Sequence, residues 1–527
     1  MDGRLTALIW CPGGLQQSNK ESFIMQTSRW LSVLNVPSVK RIFSRNKAVS
    51  LAVNVDKNVP LKPFKEVPGP PSLPFIGQIL NFMPWNELSD VNKLQENLYR
   101  RYGSIVRLDA SLGKPAFCFL FDPEATAFVL RHENVMPLRP GFESLEYYRK
   151  FHNKPKGHDK KPTGLITDQG QNWRHFRTTV NQVLLQIKTI RLYTPLVDEV
   201  AQDMIKRMKT TRDEKNMLKG EFNTEMNLWA LESIGVIGLG GRLNCFDPNL
   251  PENGEVRRLI KCVHDIFKVS NDLDFKPNLW RYYPTKAFKR AMKLYDEQEY
   301  LAGYFVGNAR KKLLTSKTTN GEKGILEKLL EIDERTAVIM ASDMLFAGVD
   351  TAAITMTAVL YHLGTHIDKQ DKLRQELSSD FESTKYLRAC IKESMRLMPV
   401  VPGNLRMITK DYNIFGYRIP KGTFVVFNHQ FMSKMESQFP KPNEYIPERW
   451  FETGPLSYKN AHPFAFNVFG FGVRMCIGRR IAEMEIETFL KRVILNFKVE
   501  WFGPPPEIQS QSLNYIKGPY NFIFKDV

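Results

Sequence analysis

The chain has 527 residues, 43% of them hydrophobic, and a formal net charge of +18. Its six cysteines (Cys11, Cys118, Cys245, Cys262, Cys390, Cys476) are scattered with no CxxC pair, which argues against a disulfide scaffold or zinc site and suits a reducing compartment. A basic chain points to nucleic acid, an anionic membrane surface or an acidic protein partner. Without zinc-finger spacing, an aromatic RNA-binding signature or a lysine block, the first is set aside and the other two remain.

Residues 1–50 hold Arg4, Lys20, Arg29, Lys40, Arg41, Arg45 and Lys47 against only Asp2 and Glu21, with recurring serines. The apolar runs Leu5–Trp10 and Trp30–Val36 are too short to span a bilayer. This reads as a mitochondrial transit segment, with an unaddressed tail as the plain alternative. The proline-rich stretch Pro60–Pro74 is a stiff entry, so the domain boundary is placed there and one folded domain is expected over 60–527. A helix is expected over Val91–Tyr102, closed by Gly103, then strands at Ile105–Leu108 and Ala116–Phe121, and a long loop over Phe142–Lys161. Thr167–Arg177 opens a helix that puts Trp173 and Arg177 on one face. A cation stacked on an aromatic ring is the plain reading of that pair. Residues 180–330 read as mostly helical, with breaks at Gly238–Arg242 and Asn249–Gly254.

Leu330–Gly364 reads as one long apolar helix with Gly348 near its middle. A mid-helix glycine costs about 1 kcal/mol against alanine, so it invites a reason. Asp350 and Thr351 follow, polar in an apolar surround. The Thr351 hydroxyl can bond back to the carbonyl of Ala347 and bend the helix. A kinked core helix and an oxygen-binding groove with a proton relay both stay open. In the helix Leu387–Leu397, Glu393 and Arg396 are i,i+3 partners, and Arg388 and Lys392 form a basic i,i+4 stripe. Extended runs follow at Arg418–Ile419, Thr423–Phe427, Phe497–Phe502 and Asn521–Phe524.

Phe469-Gly-Phe-Gly-Val-Arg-Met-Cys-Ile-Gly478 is a glycine-punctuated loop that presents Cys476 just before the helix starting at Arg479. A helix start offers a positive dipole end and unpaired N–H groups, which favour the metal-ligating thiolate. Gly470, Gly472 and Gly478 let the backbone turn and approach a flat ligand. Arg474 places a permanent positive charge beside it.

The complete spacing Phe-x-x-Gly-x-Arg-x-Cys-x-Gly resembles the haem-ligating signature of the cytochrome P450 family. Four more motifs stand in the family's order: Trp173-x-x-x-Arg177, Ala347-Gly-x-Asp350-Thr351, Glu393-x-x-Arg396 and Pro447-Glu-Arg449. The resemblance covers roughly residues 60–527. It implies a mainly α (α+β) fold, a large helical domain with a smaller β-rich one. It also implies haem b held by the Cys476 thiolate within the Phe469–Gly478 loop. Trp173, Arg177, Arg406 and Arg474 would bind its propionates, Asp350 and Thr351 would deliver protons, and Glu393, Arg396 and Arg449 would form a structural triad. Val400 and Val401 would line the pocket. Arg388 and Lys392 resemble the ferredoxin-docking residues of mitochondrial members, and Arg479-Arg480 is typical of them. Phe121-Asp-Pro-Glu, Pro140-Gly-Phe-Glu, Tyr147-Tyr-Arg-Lys and Trp229-Ala-Leu-Glu-Ser-Ile-Gly resemble the insect mitochondrial clan, nearer its detoxification branches than its ecdysteroid hydroxylases. Val468 departs from the proline found before the cysteine loop in many members.

The activity so implied is monooxygenation of a small lipophilic substrate, a xenobiotic, steroid or fatty-acid-like molecule. Electrons would come from NADPH through ferredoxin reductase and ferredoxin, on the matrix side of the inner mitochondrial membrane with peripheral contact to it. Two other classes stand beside it: a haem-thiolate isomerase or dehydratase needing no external electrons, and a haem-binding sensor or carrier without turnover.

Overall fold

The computed structural model describes residues 60–73, 77–110, 115–155, 157, 161–218, 222–275, 278–315 and 323–527. The transit-like segment lies outside the described residues. Leu61–Val527 is one compact unit.

The helices that position the site are α1 (Glu143–Lys150), α2 (Gly170–Leu184), α3 (Phe222–Leu239), α4 (Glu255–Ser270), α5 (Lys286–Thr315), α6 (Ile325–Ile332), α7 (Glu334–Thr365), α8 (Lys385–Leu397) and α9 (Arg479–Asn496). The strands are β1 (Ile105–Leu108), β2 (Phe117–Leu120), β3 (Asn404–Met407), β4 (Tyr412–Ile414), β5 (Tyr417–Ile419), β6 (Phe424–Phe427), β7 (Phe497–Trp501), β8 (Ile508–Ser510), β9 (Asn514–Ile516) and β10 (Phe522–Asp526). A four-stranded sheet runs β1-β2-β6-β3. Its β2/β6 pair is parallel, joining Phe117 to Phe424, although some 300 residues of chain separate them. β6 also pairs antiparallel with β3, setting Arg406 opposite Val425. The expected mainly helical fold with a smaller β-rich part is what forms.

α7 is the spine. Between Met340 and Leu360 every residue is fully buried except Ala347, Gly348 and Thr351. A helix apolar all round is a core helix rather than a surface one, and α7 packs on α3, α5, α6, α8 and α9. It is long and apolar enough to cross a membrane, but here its apolar surface is spent on protein.

Two expectations fail locally. Phe142–Lys161 is not all loop, because α1 forms within it and buries Ser144, Leu145 and Tyr148. Glu143 and Glu146 occupy its first turn and Arg149 and Lys150 its last, charges of the sign that each helix end favours. The long apolar helix does not begin at Leu330 either. α6 ends at Ile332, and Asp333 caps α7 by accepting from the N–H of Thr336 at 2.8 Å.

Candidate cofactor site

Between Met340 and Leu360 the three residues of α7 that escape burial, Ala347, Gly348 and Thr351, share one face and open a window in the core. The Thr351 hydroxyl donates to the Ala347 carbonyl at 2.7 Å, as its position predicts. Gly348 is explained differently from the expectation. A Cβ there would lie 2.9 Å from Ile234 Cγ1 on α3, so the missing side chain admits a neighbouring helix, not a ligand. Asp350 is buried and turned away from the window, its Oδ2 accepting from the Tyr515 hydroxyl at 2.9 Å.

The cysteine loop turns where the sequence says it must. Gly470 and Gly472 have φ of 73° and 72°, which only glycine adopts without strain. The Cys476 N–H donates to the Phe469 carbonyl at 2.9 Å, which closes the loop, and Arg479 lies over the Phe469 ring at 5.3 Å. Gly478 caps α9 with φ −82°. A Cβ there would meet nothing within 4 Å, so open space lies beside Gly478. Cys476 is water-accessible yet crowded by protein, as a side chain lining an interior space must be. Burial pushes its thiol up, against the pull of the Gly478 N–H and the charges of Arg139, Arg177 and Arg479. The Gly478 N–H favours the thiolate, as the helix start leads one to expect, while burial opposes it; a bound metal cation would deprotonate the thiol.

The same arginines form a cluster. Arg177 donates to the Met475 carbonyl at 3.0 Å, and its Nε is buried without a partner. The Arg474 guanidinium lies over the Trp173 ring at 3.7 Å. It donates to the Pro137 carbonyl, the Asp168 carbonyl and Gln169 Oε1, while its Nη1 is buried without a partner. The stacking partner of Trp173 is thus Arg474 and not Arg177. Arg406 is buried on β3, with Nε 2.8 Å from Glu133 Oε2. Sequence reasoning missed Arg139 and Glu133. Gln169 clasps the Arg139 backbone by paired hydrogen bonds of 2.9 and 3.1 Å and also accepts from Arg474. The one sequence signal was a lone arginine in the proline-flanked run Pro137-Leu-Arg-Pro140. Burial and mutual repulsion push Arg474 down to about 8 and Arg139 to about 10. Four guanidiniums and one carboxylate, with two buried N–H groups unpaired, demand further anions.

Glu393, Arg396 and Arg449 are brought together with no solvent exposure at all. Glu393 accepts from Arg396 at 2.8 and 3.0 Å, from Arg449 at 3.1 Å, from Trp450 Nε1 at 3.0 Å and from the Ile446 N–H at 3.1 Å. Both arginines also donate to backbone carbonyls between Ser433 and Glu444. This is a buried clamp, not the surface pair that i,i+3 spacing alone would give. Arg388 and Lys392 lie on the outer side of α8. Arg388 is engaged by Glu487 through two bonds of 2.7 and 3.0 Å, and Lys392 sits 5.7 Å over the Trp450 ring. Val400 and Val401 are half-buried against the main core.

The family model for cytochrome P450 matches residues 67–525. The chain belongs to the cytochrome P450 family. It is 36% identical over 466 residues to "Probable cytochrome P450 12b2, mitochondrial" of Drosophila melanogaster, covering 84% of this chain and 85% of that one. It is 35% identical over 530 residues to "Cytochrome P450 CYP12A2" of Musca domestica, covering 94% and 97%. The solved structure of "Retinoic acid bound cyanobacterial CYP120A1" superposes with a TM-score of 0.67 at 20% identity, over 89% of this chain and all of that one, which speaks for the fold alone. The protein is a cytochrome P450 monooxygenase, and its cofactor is haem b with a cysteine thiolate axial ligand. The site fits that cofactor: an accessible cysteine, open space beside Gly478, and an arginine cluster with two buried N–H groups unpaired.

Proposed function

We propose that Cys476 supplies the axial thiolate, that Arg139, Arg177, Arg406 and Arg474 with Trp173 hold the propionates, and that Asp350 and Thr351 deliver protons. The single observation that carries the ligand assignment is electrostatic. Cys476 feels the charges of Arg139 and Arg177, and Arg177 keeps a buried Nε without a partner. Thiolate-ligated haem supplies the activation of dioxygen. The chain's own part is to bind and orient the cofactor, to exclude water with the buried flanks of α7, and to hold protons near Thr351.

The substrate is a small lipophilic molecule, consistent with the exposed apolar side chain of Ala347 and the half-buried Val400 and Val401. The electron donor is a ferredoxin of the mitochondrial type, itself reduced by NADPH through ferredoxin reductase. The names of the insect relatives support a mitochondrial setting. The outward side of α8 supports docking of an acidic partner, where Glu487 already balances Arg388 and leaves Lys392 and Arg480 to draw it in. Exposed Leu279, Tyr282 and Tyr283 between α4 and α5 support peripheral contact with the matrix side of the inner membrane. Reconstitution tests the reading. NADPH, ferredoxin reductase and ferredoxin should together give oxygenated product, and none should form when any one is omitted. Turnover without reductant would overturn it in favour of an isomerase or dehydratase.

A further inference from the structure

Asp350 stands next to Thr351 of the α7 window in the chain, and it is not open to water: the residue is 2% exposed. Successive helix positions point about 100° apart, so Thr351 meets the interior space while Asp350 faces α4 and the β8–β9 hairpin. There it finds two partners from distant parts of the chain. Tyr515 on β9 donates its hydroxyl to Oδ2 at 2.9 Å. His264 on α4 brings Nδ1 to 3.9 Å from the same oxygen, an ion-pair distance. The two rings meet edge to face at 5.5 Å. Oδ1 is buried without any partner. The His264 side chain is 48% exposed, so one end of the group reaches solvent and the other is sealed in the core.

We propose that His264 is the solvent-side proton port for Asp350, and that Tyr515 is the positioning residue that holds the Asp350 carboxylate against it. This rests on the reading of Asp350 as a proton-delivering residue. Its logic is that monooxygenation consumes two protons per turnover. One oxygen atom enters a substrate C–H bond and the other leaves as water, with two electrons from NADPH by way of ferredoxin. A buried carboxylate that gives up a proton must be reloaded from solvent, and α7 offers water no direct route to it. Protonated His264 can donate to Oδ2. The neutral acid so formed loses its attraction to the imidazole and can flip to turn its protonated Oδ2 toward Thr351, leaving the Tyr515 hydroxyl to the formerly unpaired Oδ1. Electrostatics suit the role. The Asp350 carboxylate, with a smaller contribution from Asp265, holds His264 above its ordinary value against burial and the nearby Lys268. Burial and Asp350 push the Tyr515 hydroxyl far up, so it stays a donor and fixes the carboxylate's orientation.

The test uses haem-loaded full-length protein with ferredoxin, its reductase and NADPH, and 7-ethoxycoumarin as the probe. Product and hydrogen peroxide are both counted against NADPH consumed. In the wild type the product fraction should fall as pH rises through the His264 titration. His264→Asn keeps a neutral donor near Nδ1, and it should lower that fraction several-fold at pH 7 and remove its pH dependence. The lost electrons and protons should reappear as hydrogen peroxide. Tyr515→Phe should lower the fraction while keeping the pH dependence. With cumene hydroperoxide, which carries its own electrons and protons, both variants should match the wild type, so a general defect is told apart. A second readout needs no substrate. In the carbon-monoxide complex of the reduced enzyme, the His264 Cε1 resonance should titrate at lower pH when Asp350 is replaced by asparagine. An unchanged titration, or a His264→Asn variant with the wild-type pH profile, overturns the port. If Asp350→Asn also leaves product formation unchanged, the underlying reading of Asp350 falls with it; if Asp350→Asn alone is impaired, only the port falls.

Discussion

Gly348→Ala separates two explanations of the one glycine in the middle of α7. If the glycine exists to seat a ligand, alanine should leave folding intact and disturb only binding in the window. The structure gives the opposite expectation. The new methyl would lie 2.9 Å from Ile234 Cγ1, 3.3 Å from its Cδ1 and 3.4 Å from its Cβ. The first is a contact that real Cβ atoms do not make, and relieving it in a filled core costs about 1–3 kcal/mol. Alanine recovers about 1 kcal/mol of helix propensity, so the net expectation is a loss of about 1 kcal/mol. Ile234→Ala removes both clashing atoms and alone should cost about 2–5 kcal/mol through the cavity it leaves. In that background Gly348→Ala should become stabilising by about 1 kcal/mol, because the methyl enters the cavity and the propensity gain is kept. The sign reversal is the signature of direct contact. Urea denaturation followed by far-UV circular dichroism, on the four proteins of the cycle, measures it. Equal effects of Gly348→Ala in both backgrounds would refute the packing explanation.

Other expectations follow from the buried charges. Glu393→Ala strands two guanidiniums in the core and should cost about 3–5 kcal/mol, seen as a lowered urea midpoint and poor recovery of haem-loaded protein. Arg139→Leu should speed haem loss to apomyoglobin several-fold, whereas Glu133→Gln should slow it by leaving the arginines more in need of propionate charge. Burial alone lifts Glu485 on α9 to about 8, and its Oε1 is unpartnered. Its folded value lies above its unfolded one, so the stability it supports is present at acid pH and is lost as pH rises from about 5 to 8. Glu485→Gln should flatten that decline, measured as the urea midpoint at pH 6 against pH 8.5.

The cysteine loop, the Trp-x-x-x-Arg helix, the central helix and the Glu393/Arg396 pair were all legible in the sequence because each is local, whereas Arg449 comes to Glu393 from another part of the chain and was placed only by the family resemblance. A fixed spacing puts the residues on one face or in one turn, and the chain cannot do otherwise. What was not legible depends on distant neighbours. Gly348 looked like room for a ligand because its reason, Ile234, lies on another helix. Arg139 carries no motif and acquires its place from Gln169. His264 and Tyr515 are ordinary residues until α4 and β9 carry them to Asp350. The α1 helix was hidden by its aromatic and charged composition, although its end charges were a usable sign. The sequence showed the helix start that favours a Cys476 thiolate but not the burial that opposes it.

The central claim is that Cys476 holds the haem iron. It is tested most directly by the absorption spectrum of the reduced, carbon-monoxide-bound protein. The wild type should show the red-shifted Soret band of a thiolate-ligated haem, and Cys476→Ala should lose that band altogether. A Cys476→Ala protein that retained it would contradict the assignment.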